Sequence, residues 1–209
     1  MSKGRQPNES FDDYRTRVID PISDSFCGAK WYNATIWLGH GGTASCHHPP
    51  AHNIDKEEIK TNPSAIHNTR HKKKMRQMML EGTRPKECEY CWKIEDMEKD
   101  ADGSRPVSDR TFKTHIYSDA ELQRIANMDP AEDVNLKTLE IAFDRTCQFA
   151  CSYCNPAFST TWVKDIRTNG GYSNIRSDAR GHFIDDAPYA DPFEKDEENP
   201  YVKAFWDWW

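Results

Sequence analysis

Cys147, Cys151 and Cys154 form a Cys-x3-Cys-x2-Cys run, with Tyr153 immediately before the last cysteine. Three thiolates this close in sequence can each take one iron of a cubane 4Fe–4S cluster, leaving the fourth iron without a protein ligand. A catalytic metal needs such an open position, whereas a structural metal has its positions filled. Four more cysteines lie upstream: Cys27, Cys46, Cys88 and Cys91. Seven is an odd number, so complete disulfide pairing is excluded. The division into four and three reads as one closed metal site and one open site.

The elements that must position these residues follow from pattern. The apolar stretch Leu136 to Phe143 predicts a strand at 137–143 just before the triad, and a helix is predicted from Phe158 to Arg167, closed by Gly170-Gly171. Strand, tight loop and helix place the cysteines at a strand's C-terminal end, where active sites of α/β barrels lie. Upstream, a short helix is predicted around Phe11 to Val18. A strand follows at Ala34 to Leu38 with a glycine turn at Gly39 to Gly42, and Pro49-Pro50 ends regular structure there. Pro63 near its start and Gly82 beyond its end predict a helix from about Ser64 to Glu81. Met75, Met78 and Met79 give that helix an apolar stripe. The basic run Arg70-His71-Lys72-Lys73-Lys74 reads as its solvated face, with a phosphate- or peptide-contacting patch as the alternative. Ser118 and Glu121 have capping-box spacing, which predicts a helix from Asp119 to Asn127. Tyr172 to Asn199 is acidic and reads as a long excursion or loop.

The octapeptide Cys147-Gln148-Phe149-Ala150-Cys151-Ser152-Tyr153-Cys154 resembles the Cys-x3-Cys-x-aromatic-Cys signature of the radical S-adenosylmethionine enzymes. The resemblance implies that Cys147, Cys151 and Cys154 ligate a 4Fe–4S cluster. In that family the open iron chelates S-adenosylmethionine, and one electron cleaves the sulfonium to give a 5′-deoxyadenosyl radical that abstracts hydrogen from substrate. It implies that Tyr153 packs near the adenine. It also implies an electron donor such as flavodoxin or ferredoxin, and a peptide is the substrate class common in the subgroup. The alternative is a structural zinc knuckle that borrows a fourth ligand.

Thirteen residues separate Cys27 from Gly41, four more lead to Cys46, and Cys88-Glu89-Tyr90-Cys91 follows. This resembles the auxiliary-cluster extension called SPASM in its shortened, twitch form, with phage-encoded relatives of that family showing the same order. The resemblance implies an auxiliary 4Fe–4S cluster on Cys27, Cys46, Cys88 and Cys91, and the alternative is a four-cysteine zinc site. His47 and His48 adjoin Cys46, so either is also a candidate ligand. The implied fold is α/β (α+β overall), with a twitch-like domain at 1–130. The first βα unit of an incomplete radical S-adenosylmethionine partial (β/α)6 barrel follows at 131–209. Six βα units need roughly two hundred residues, and about seventy follow the first barrel strand. Gly170-Gly171 is followed by Tyr172 and does not supply the family's Gly-Gly-Glu motif. The expectation is therefore the N-terminal part of a longer enzyme, with a separate C-terminal half as partner.

Composition sets the outer limits. Hydrophobic residues make up 36 % of the chain and the mean hydropathy is −0.92, so any core is thin and bound metal would add cross-links. A net charge of −6 offers no general attraction to nucleic acid. No apolar run is long enough for a membrane span and no signal-peptide core is present, so a cytoplasmic location is expected. In that reducing compartment, closely spaced cysteines read as metal ligands. The rival class is a non-enzymatic zinc protein with two cysteine-rich sites, serving as an adaptor or nucleic-acid module.

Overall fold

The computed structural model describes residues 4–144, 146–176, 183–185 and 198–209. The predicted acidic excursion lies largely outside the described residues. Among them the chain is mixed α/β, with a four-stranded sheet and nine α-helices. The strands are β1 (Asn33–Trp37), β2 (Gly42–Ala44), β3 (His52–Asn53) and β4 (Thr138–Ala142). Their order in the sheet is β3-β2-β1-β4. β2 and β3 are antiparallel, with Gly42 opposite Asn53 and Thr43 opposite His52. The helices are α1 (Phe11–Tyr14), α2 (Ala29–Tyr32), α3 (Lys56–Thr61), α4 (Arg70–Leu80), α5 (Glu89–Glu95), α6 (Asp109–Thr114), α7 (Asp119–Ala126), α8 (Thr160–Asn169) and α9 (Pro200–Trp208). None is long and apolar enough to cross a membrane.

The chain divides into two compact units. The first comprises 1–36, 42–140 and 204–209. Its core is rich in aromatic residues: Tyr14, Phe26, Trp31, Tyr32, Trp92 and Tyr117 pack with Ile19, Leu122 and Ile125, and Cys88 and Cys91 belong to the same cluster. Large rings let a chain with few apolar residues bury substantial area. Charged groups fill the remaining volume. Glu95, whose side chain is fully buried, accepts from Arg110 Nε at 2.9 Å and Nη2 at 2.8 Å, and pairs with Arg15 Nη2 at 3.3 Å. Arg76 is equally buried, donating to the Lys30 carbonyl and to Asn68 Oδ1.

Two expectations are corrected in this unit. The helix predicted from Ser64 to Glu81 is two pieces, a 3-10 turn at Pro63–Ile66 and then α4. Between them Thr69 Oγ1 accepts from the Lys72 N–H, so a threonine cap starts the second helix afresh. Nor is the basic run a wholly solvated face. Lys72 is 1 % exposed, and its ammonium donates to the Asn33 carbonyl at 2.8 Å. A stripe of buried Met75, Arg76 and Met79 turns Lys72 inward with it. The capping box at Ser118 and Glu121 has both of its arms, and α7 ends one residue short of the predicted bound.

The second unit comprises 37–41 and 141–203. Leu38 N–H donates to the Ala142 carbonyl at 2.8 Å. Gly41 has φ of 70°, and a Cβ there would stand 2.1 Å from the Tyr201 ring. Gly170, at φ 86°, ends α8. A Cβ on Gly171 would come within 2.8 Å of the Phe183 carbonyl, while Trp162, Tyr172 and Phe183 meet edge to face. The glycine pair thus serves a helix stop and a close chain approach.

Two stability predictions follow from the first unit. Glu95→Gln keeps the shape but leaves the buried Arg110 guanidinium without a carboxylate and Arg15 with Asp20 alone, and should lower unfolding free energy by about 3–5 kcal/mol in urea titration. A loss below about 1 kcal/mol would contradict the buried network. His67 is fully buried, and burial with the nearby Lys72 and Arg76 charges pushes its pKa down to about 2. Above pH ~6.5 both folded and unfolded forms are neutral at this residue. Below it the unfolded chain takes up a proton that the fold refuses, so stability falls as pH falls, by up to about 1.4 kcal/mol per pH unit. His67→Gln should flatten that part of the stability–pH curve; an unchanged slope would show the histidine is not the source.

Candidate functional site

In the first unit, Cys27, Cys46, Cys88 and Cys91 line one cavity. Each reaches it from a different piece of local structure. Cys27 precedes the start of α2, where Gly28 lies so close to Leu122 that a Cβ would meet its methyl at 2.8 Å. Cys46 follows β2. Cys88 is the residue before α5 and Cys91 lies in its first turn, a Cys-x2-Cys pair brought to one side of a helix start. Trp92 fixes that start by donating from Nε1 to the Pro85 carbonyl at 2.9 Å.

The cavity wall is unusual in its charge. Lys30, Arg110 and Lys113 line it against one carboxylate, Asp109. Lys30 is 2 % exposed and pairs with Glu87 Oε1 at 2.5 Å. Burial alone would push its pKa down, but the Cys88, Glu87 and Cys27 charges outweigh that and hold it above the ordinary lysine value. Burial pushes the Cys88 thiol up to about 12 against the pull of Lys30, with Cys27 adding to the rise. Burial and then the Cys27 charge push Cys91 up to about 11. Burial raises Cys46 as well, with Cys27 again contributing. The four sulfurs therefore sense one another, and a cation placed among them would relieve that repulsion.

Four thiols lining one cavity can hold either a tetrahedral zinc ion or a cubane whose irons each take one thiolate. The Nε2 atoms of His47 and His48 stand 3.3 Å and 2.7 Å from Asp109 Oδ2, and His48 and Asp109 line the cavity with the cysteines.

In the second unit, the triad occupies the loop between β4 and α8. Ser159 is fully buried, accepts from the Trp162 N–H as the helix cap, and donates to the Phe149 carbonyl at 2.8 Å. Cys147 N–H donates to Thr160 Oγ1 at 3.1 Å, and Thr161 donates to the Cys147 carbonyl. Trp162 Nε1 donates to the Cys151 carbonyl at 3.2 Å, and Cys154 N–H closes a turn onto that same carbonyl at 3.0 Å. The first turn of α8 thus grips the loop backbone, and all three cysteines keep partial exposure. Residues 158 and 159, predicted as helical, serve instead as lead-in and cap. Tyr153 is 90 % exposed. The Cys151 sulfur beside its hydroxyl, with the charges of Cys151, Cys154 and Cys147, holds its pKa above the ordinary phenol value. Beside the loop, Trp37, Gly39, His40, Ala142, Asp144, Ala157 and Phe158 line a groove.

Sequence spacing picked out all seven cysteines. It missed Lys30, Arg110 and Asp109, which stand 3 residues after Cys27 or far from any cysteine and carry no local signal. No protein-family model matches the chain, and no curated protein or solved structure matches it either.

Removing the Ser159 hydroxyl deletes both the α8 cap and the tie to Phe149. Ser159→Ala should lower the unit's stability by about 1 kcal/mol and speed iodoacetamide alkylation of metal-free Cys147 and Cys151. Unaltered alkylation rates would mean that the helix start does not order the loop.

Proposed function

We propose that this chain is a radical S-adenosylmethionine protein, with a 4Fe–4S cluster on Cys147, Cys151 and Cys154 and an auxiliary 4Fe–4S cluster on Cys27, Cys46, Cys88 and Cys91. In this reading the first unit is a twitch-like domain, and β4 with its loop and α8 is a first βα unit of the family's barrel. The observation that carries the reading is the position of the Cys-x3-Cys-x-Tyr-Cys loop, which joins the end of a strand to the capped start of a helix.

The donor sets fit the two groups. Three partly exposed thiols on a loop held by its backbone suit a cluster with one open iron. Four thiols around an enclosed cavity suit a fully ligated one. The cavity's cations favour an anionic complex, since four thiolates outweigh the cluster's positive charge. When bound at the triad, such a cluster supplies reductive cleavage of S-adenosylmethionine for hydrogen abstraction. The protein's part is to hold three sulfurs in a fixed loop. Ser159, Thr160, Thr161 and Trp162 do this by taking up the loop's carbonyls and one of its N–H groups. Tyr153 offers a flat, exposed ring for the adenine. A peptide is the proposed substrate class and a flavodoxin or ferredoxin the proposed electron donor, both by resemblance alone.

Anaerobically purified protein should be brown and hold about eight irons and eight sulfides per chain. Cys147→Ala with Cys151→Ala and Cys154→Ala should halve both counts, as should Cys88→Ala with Cys91→Ala. A colourless, zinc-loaded protein after expression with excess iron would instead establish the structural zinc reading.

A further inference from the structure

His47, His48 and Asp109 bring three potential ligand atoms within 4.8 Å of one another at the rim of the four-cysteine cavity. Both imidazole Nε2 atoms converge on a single carboxylate oxygen, at 3.3 Å and 2.7 Å. Ligand atoms 2.0–2.2 Å from one ion stand about 2.8–3.6 Å apart, whether at octahedral right angles or tetrahedral angles. The two imidazole–carboxylate pairs are therefore near coordinating distances, and the two imidazoles offer ligand atoms within 4.8 Å of each other.

The supports are rigid. The His48 ring stacks on Tyr90, with centroids 3.7 Å apart and planes at 15°. Asp109 is the first residue of α6, whose cap Ser108 donates to Glu95 at 2.5 Å. The next residue, Arg110, is tied to that same buried carboxylate. His47 is 61 % exposed along its side chain, which leaves the site open toward solvent.

We propose that His47, His48 and Asp109 form a mononuclear site for a first-row divalent transition-metal ion. Two imidazoles and one carboxylate leave coordination positions free, the pattern of iron(II) and zinc sites that bind a further ligand. Calcium and magnesium are excluded by the donor set, because they take oxygen ligands and several carboxylates. The site goes beyond the cluster reading and does not depend on what the cysteines hold.

Cobalt(II) titration of the anaerobic 209-residue chain tests this. The expected result is one equivalent bound with the weak visible bands of nitrogen–oxygen coordination. His47→Ala, which alters an exposed side chain, and Asp109→Asn should each weaken that component by about tenfold or more, the scale on which even outer partners of metal ligands act. Iron and sulfide counts of the same samples report the cysteine sites separately. If those sites are empty, cobalt adds intense near-ultraviolet thiolate bands that the two variants leave in place. Nitrogen–oxygen bands that are absent, or that survive both substitutions, overturn the proposal.

Discussion

The first unit depends on one electrostatic constraint: cations buried in a small, polar chain need an anionic counterpart. Lys30, Lys72, Arg76 and Arg110 are each 2 % exposed or less. Glu95 answers Arg110 and Arg15, and Glu87 answers Lys30 and His71. Arg76 and Lys72 rely on carbonyls and Asn68. A buried charge is tolerable only when paired or fully hydrogen-bonded. Around the four-cysteine cavity Glu87 meets that condition for Lys30 and Glu95 meets it for Arg110, and Lys113 lines the cavity as a further cation. Thiolates ionised about a metal would face all three.

The same constraint explains why a chain of low hydrophobic content packs at all. Its aromatic core encloses Cys88 and Cys91, so the thiols serve as core residues and cavity wall at once. A group bound there would tie together Cys27 before α2, Cys46 after β2 and the Cys88–Cys91 helix start, segments far apart in sequence. Such cross-linking is how small domains with thin cores gain stability. The second unit works differently. Its cysteines are not core, and a helix start holds the loop through its backbone, leaving the sulfurs for whatever binds.

What could be read from the sequence follows from how local each signal is. β1, β4, α7 and α8 were legible because alternation, a capping box and terminal glycines act over a few residues. The long helix over 64–81 was misread because its pattern runs smoothly through Thr69, where a side-chain cap interrupts it. Helices α3, α5 and α6 carry weak periodicity and are held by tertiary contacts, such as those of Glu95 with Arg110. Spacing identified the cysteines as candidates, and the convergence of four on one cavity is consistent with that reading. The pairing of His47 and His48 with Asp109, across 61 or more residues, had no signal short of the fold.

The central claim is that one cluster on this chain has an open iron and another does not. The most direct measurement is the electron paramagnetic resonance spectrum of the reduced, anaerobically purified protein, recorded with and without S-adenosylmethionine. The account predicts two iron–sulfur components. S-adenosylmethionine should change the one that Cys147→Ala abolishes and leave the other as it was. A spectrum with no iron–sulfur component, or one that S-adenosylmethionine leaves wholly unchanged, would contradict it.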